Sequence, residues 1–235
     1  FVSINKTIIL TFKNMKKIIL LTIIATITFS CNNNSIETNS ASSEEVTAVE
    51  ILIDSTKIPP QTNSQQLPFQ EIGAYPKDYS STNVISRMIE GLGYRFYWAS
   101  ESLTEKDLNY KPSDDSRSTI EVLEHIYGLS LAMKYTFEGK VYDFSQEKYT
   151  YNELREHTLK NLEFVKNQLQ TTEDLSKLTI QLNMGGETMS FPFWNMINGP
   201  ISDALWHCGQ VVMNRRASGN PLNPKVNVFV GKTMP

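Results

Sequence analysis

Apolar side chains recur at the three- and four-residue intervals of amphipathic helices in four stretches of this chain. In the first, Ser81 or Thr82 can cap a helix whose buried stripe is Ile85, Ile89, Leu92, Phe96, Ala99 and Leu103. Gly91 and Gly93 interrupt that stripe and leave room for a neighbouring helix to come close. A polar loop over 104–117, with Pro112 and Asp114-Asp115, separates it from the second. There Ser118 followed three residues later by Glu121 forms a capping box, and Ile120, Leu123, Ile126, Tyr127 and Phe137 follow. The third spans 151–169, with Leu154, Leu162, Val165 and Leu169 on one side. The fourth has Ile197, Ile201, Ala204, Leu205, Cys208 and Val212 as its apolar face. Pro200 suits its first turn, where a missing N–H costs little, and Gly219-Asn220-Pro221 ends it.

Between the third and fourth stretches the period changes to two. Residues 178–182 and 188–191 alternate around Gly185-Gly186, the pattern of a small hairpin. The tail over 226–230 is expected to pack back on the domain. These elements predict an all-α four-helix bundle, residues 79–235, with a β-hairpin insertion before the last helix.

The N-terminal end reads differently. Met15 is a better start than Phe1, and Lys16 and Lys17 precede an apolar run over 18–29. That run is too short to span a membrane and has the layout of a signal peptide, residues 1–30. Ser30 directly before Cys31 resembles the lipobox of bacterial lipoproteins, which makes Cys31 the lipidation site. Residues 31–78, rich in Ser, Thr, Asn and Gln, then form a mostly disordered tether. The expected location is the cell envelope, facing the periplasm, with membrane contact through the lipid anchor. With Cys31 acylated, Cys208 has no disulfide partner, and its place on an apolar face marks it as a buried small hydrophobe.

Loss of the leader also shifts the charge. Four of the 22 basic residues go with it, so 18 remain against 25 acidic, a net charge of −7. With no basic, aromatic-interleaved patch, nucleic acid is not an expected partner. The expected partners are a small-molecule substrate of unknown identity and a second copy in a homodimer.

The last helix carries the candidate chemistry. Asp203 and His207 lie four residues apart and therefore one turn apart on one face, and Gln210 and Asn214 continue the line. His125 shares a helix face with Val122, Leu129 and Ala132, so its imidazole needs a partner: a carboxylate, a carbonyl or a metal. Glu121, one turn earlier, is either a fourth ligand or proton acceptor, or the capping partner of Ser118. Arg215 and Arg216 either meet an anionic substrate or answer the helix dipole. Phe193, Trp194 and Trp206 line a pocket or pack in the core. His157, among Glu153, Glu156 and Lys160, reads as a solvated face.

Residues 81–219 resemble the DinB/YfiT-like superfamily of four-helix metalloproteins. The likeness rests on Leu108-Asn109-Tyr110-Lys111-Pro112, on Ser118 through His125, and on His207-Cys208-Gly209-Gln210. The resemblance implies a first histidine ligand at His125 and a pair in the last helix, where His207 matches and Asp203 stands in place of the usual histidine. Two histidines and one aspartate still make an open divalent-metal set, for zinc or nickel before manganese or iron. Gln210, Asn214 and Glu121 become candidates for orienting those ligands. Relatives of this type include metal-dependent transferases of low-molecular-weight thiols and a thiol-dependent isomerase, and the same ligands suit a hydrolase. The alternative is a non-catalytic envelope binding module with a degenerate metal site.

Overall fold

The computed structural model describes residues 66–145 and 147–235. The expectations for the leader, Cys31 and the tether up to residue 65 lie outside the described residues. Among those described, no helix is long and apolar enough to cross a membrane. The fold is mostly helical, with a three-stranded and a two-stranded sheet.

Helix α1, Ser81–Ala99, begins one residue earlier than the capping reading placed it: its N-cap is Ser80, whose side chain makes no capping bond. Asp78 organises that entry instead, accepting from the Ser80 N–H at 2.9 Å and from Asn83 Nδ2 at 2.8 Å. The short α2, Glu105–Leu108, lies in the segment read as loop, held by a capping box between Thr104 and Asp107. Helix α3, Thr119–Glu138, opens on the expected Ser118–Glu121 capping box and stops at Gly139, whose φ of 66° only glycine adopts without strain. Helix α4, Tyr151–Leu169, opens on a third capping box, Thr150 with Glu153.

Strands β2, Thr179–Met184, and β3, Glu187–Pro192, form the expected antiparallel hairpin. Gly185 and Gly186 turn it with φ of 68° and 92°, the left-handed pair that matches strand twist. Strand β1, Val141–Asp143, joins as a parallel edge on β2. A three-residue strand is too short for its periodicity to announce it.

The entry to the last helix also departs from expectation. A short turn α5, Trp194–Met196, leads into a π-helical turn, Ile197–Ile201, and Gly199 inside it is non-helical at φ −91°, ψ −108°. Pro200 sits in that turn, and α6 runs Ser202–Ser218. A proline removes one intrahelical donor and crowds the preceding turn, so the chain widens there before the regular helix starts. The C-terminal segment forms β4, Val226–Asn227, and β5, Lys232–Thr233, and returns to the domain through the Ile72 N–H to Gly231 O bond at 2.9 Å.

Each of the four long helices packs on two others: α1 on α4 and α6, α3 on α4 and α6. Ile89, Leu92, Phe96, Met133, Leu159, Leu162 and Val211 have no exposed surface. Packing begins ahead of the boundary drawn at residue 79, since Phe69 and Ile72 are buried. Phe69, at φ 69°, lays its ring on Gly93, so the glycine admits a side chain rather than a neighbouring helix. A Cβ added at Gly93 falls 2.4 Å from the Phe69 ring. Gly93→Ala is therefore expected to cost about 1–3 kcal/mol by overpacking, seen as a lowered urea midpoint with unchanged slope.

Arg215 is buried and ties two helix ends together. Nη1 donates to Trp98 O at 2.9 Å and Ala99 O at 3.0 Å, while Nε donates to Asn220 O at 2.8 Å. It satisfies the orphan carbonyls ending α1 and does not face a ligand. Arg216 is exposed.

Candidate metal centre

Because α3 packs on α6, the second turn of one helix meets the first two turns of the other. His125 Nε2 lies 3.0 Å from Asp203 Oδ2, and His207 Nε2 lies 3.3 Å from Asp203 Oδ1. The two imidazoles meet edge to face, 4.5 Å between centroids at 82°. One ligand atom from each residue falls within 4.8 Å of the others, close enough to hold a metal ion. His207 is the deepest of the three, its side chain 11% exposed against 32% for His125 and 39% for Asp203. The site is a socket with His207 at its floor and the carboxylate at its mouth.

Gln210 orients the floor. Its Oε1 lies 2.7 Å from His207 Nδ1, so that nitrogen donates and Nε2 is left to face Asp203. Nε2 then lies 3.3 Å from the Asp203 Oδ1 without a hydrogen bond between them, two electron-rich atoms side by side. A divalent ion satisfies both, together with His125. The donor set fits such an ion: two imidazoles and one carboxylate, with coordination positions left open. Burial pushes the His125 pKa below its usual value, with the nearby His207 and Arg117 adding to it, while its bond to Asp203 works the other way. Gln210→Ala frees the ring of His207 and is expected to weaken metal binding about ten- to a hundredfold, as read by competition with a chromophoric chelator.

The remaining sequence-predicted residues divide. Glu121 does not reach the site. Its Oε2 accepts the Ser118 N–H at 2.6 Å and Ser118 Oγ at 2.7 Å, and those bonds hold its carboxyl down at about 2. A carboxylate occupied in a cap cannot also be a ligand one turn away. Asn214 is buried and donates to Thr119 Oγ1 at 3.2 Å, pinning α6 to the start of α3 rather than touching a ligand. Phe193 packs in the core, whereas Trp194 and Trp206 are exposed. His157 is not simply solvated: its ring lies 4.8 Å from that of Tyr149 and 6.2 Å from that of Tyr127. Helical spacing on α4 showed its charged neighbours but not the tyrosines delivered by other segments.

Cys208 is buried as expected, and burial pushes its thiol up to about 12. Thiolate is the reactive form, so Cys208 is expected to resist iodoacetamide in the folded protein and to label only after denaturation, as mapped by peptide mass spectrometry.

An open cleft of about 700 Å³ reaches the buried His207. Tyr110, Trp206 and Met213 give it apolar walls, and Arg117 brings a positive charge. Arg117 has no ion-pair or hydrogen-bond partner among the described residues, and its field reaches His125. Sequence reasoning passed over it, because a lone arginine in a polar loop carries no pattern until the fold sets it beside the histidines.

No protein-family model, no curated protein and no solved structure matches this chain.

Proposed function

We propose that this chain is a divalent-metal protein of DinB/YfiT-like type, a four-helix bundle that holds its ion at His125, Asp203 and His207. The observation that carries this reading is the His207 ring, fixed at Nδ1 by Gln210 so that Nε2 confronts the Asp203 carboxylate. A divalent ion there supplies Lewis acidity and open positions for an oxygen or sulfur nucleophile and its acceptor.

The protein's own residues do the rest. His207 and His125 offer neutral nitrogen donors from two helices, so the pair is held by helix packing rather than by loops. Asp203 offers the single negative charge and leaves a divalent site net positive, which favours anionic or polarisable substrates. Tyr110 and Trp206 offer apolar surface on one side of the cleft, and Arg117 adds attraction for an anionic group beside it. The reaction classes that suit this arrangement are hydrolysis and thiol transfer. If the expected leader and lipidation at Cys31 hold, the protein works in the envelope, where abundant cytosolic thiols are absent; that location favours hydrolysis of the two.

The test is a screen of ester, amide and phosphoester substrates together with thiol-conjugation substrates. Activity lost to a chelator, restored by added metal and missing in His207→Ala supports the reading. Activity indifferent to both, or none with a metal-loaded protein, counts against an enzyme and favours a binding module.

A further inference from the structure

A second cleft, of about 790 Å³, lies between residues 75–79, α1 and Leu205 of α6. Leu205 is two residues from both Asp203 and His207, roughly 200° around the helix, so this cleft opens on the other side of α6 from the metal ligands. Its walls are apolar: Val84 and Met88 from α1, Leu205 from α6, and the rings of Tyr75 and Tyr79. Those two rings are 83% and 96% exposed, far more than core packing leaves.

Three charged groups face the cleft, and two are already occupied. Arg87 Nη1 donates to Glu90 Oε2 and to Gly73 O, both at 3.1 Å, and its guanidinium lies over the Tyr75 ring. Asp78 has its lone pairs turned to the Ser80 N–H and to Asn83 Nδ2. Arg95 is different. It is partly buried, its Nη1 donates to Gly91 O at 2.9 Å, and it has no carboxylate partner among the described residues. Gly91 leaves room for that placement, since a Cβ there would fall 3.2 Å from Nη1. A helix-interior glycine costs stability, and this one seats a guanidinium in a cleft with its charge unanswered.

A partly buried guanidinium with donors to spare, set among alkyl and aromatic walls, calls for an amphiphile with one anionic end. A single cation matches a monoanionic carboxylate, which a guanidinium grips through two parallel bonds. We propose that this cleft binds a free fatty-acid-type carboxylate, its head on Arg95 and its chain along Val84, Met88 and Leu205. The site is separate from the metal centre and stands whether or not the metal reading holds.

The test uses dansylated undecanoate and its methyl ester with the purified full chain, followed by dansyl fluorescence. The acid is expected to bind at least about tenfold more tightly than the ester, the value of one charge-assisted contact. Arg95→Gln should abolish that preference, Arg95→Lys should keep part of it, and Arg117→Gln, in the other cleft, should leave it unchanged. Circular dichroism of each variant separates lost binding from lost folding. Equal binding of acid and ester by the unmodified protein overturns the proposal without any variant. So does a preference that survives in folded Arg95→Gln, or one that vanishes in Arg117→Gln.

Discussion

Asp203→Ala is expected to cut divalent-metal affinity by more than the ten- to hundredfold that loss of an outer partner costs. The carboxylate contacts both imidazoles, at 3.0 and 3.3 Å, and removing it leaves two histidines with no charge to offset a dication. Competition against a chromophoric chelator measures the change. Asp203→His should behave differently, because it completes a pair of imidazoles one helical turn apart and keeps three donors. An Asp203→Ala protein that binds metal as tightly as the unmodified one would make the carboxylate a plain hydrogen-bond acceptor. The reading then reduces to two histidines in a polar core.

The second large effect concerns folding. Asp107 is 1% exposed, yet it remains the ionised acceptor at the junction of α2 with the end of α6. It takes the Thr104 N–H at 2.8 Å, Thr104 Oγ1 at 2.7 Å, Asn220 Nδ2 at 2.8 Å and the hydroxyl of Ser218. Burial by itself would raise its pKa, and the four donors outweigh burial and hold it well below the usual carboxylate range. Asp107→Ala leaves the Thr104 N–H and hydroxyl without an acceptor, takes one from Asn220 and Ser218, and is expected to cost about 3 kcal/mol. For a chain of this size that lowers the melting temperature by roughly 10 °C. The pH dependence has a definite sign. A carboxyl whose folded-state pKa is depressed contributes stability above its unfolded pKa, about 3.9, and loses it as pH falls further. Stability measured by urea at a series of acidic pH values should fall more steeply in the unmodified protein than in Asp107→Asn. Parallel curves would contradict the assigned role.

Much of this was legible in the residues because the relevant interactions are local. A capping box closes within four residues, so Ser118 and Glu121 announced their own geometry, and Thr150 and Glu153 carry the same signal. The Gly185-Gly186 hairpin is equally local. Asp203 and His207 share a face by helical periodicity alone, while placing His125 opposite them required the packing of α3 on α6. What could not be read was long-range. Arg215 looked like a cation at a helix end and is a buried tie to carbonyls more than a hundred positions away. Glu121 and Asn214 sat on the right faces, but competing partners claim them. Phe69 reads as part of a tether because nothing near it in sequence shows that Gly93 leaves a seat for its ring.

Whether His125, Asp203 and His207 hold a divalent ion is decided by the metal content of the protein. Plasma mass spectrometry of the purified protein, beside a His207→Ala control that keeps the fold, should find close to one equivalent of zinc, nickel, manganese or iron per chain, and none in the control. A protein that carries no metal, and takes none up when offered each of these ions in turn, would contradict the account. The three side chains would then be a His125–Asp203 hydrogen bond with His207 packed beside it and held by Gln210.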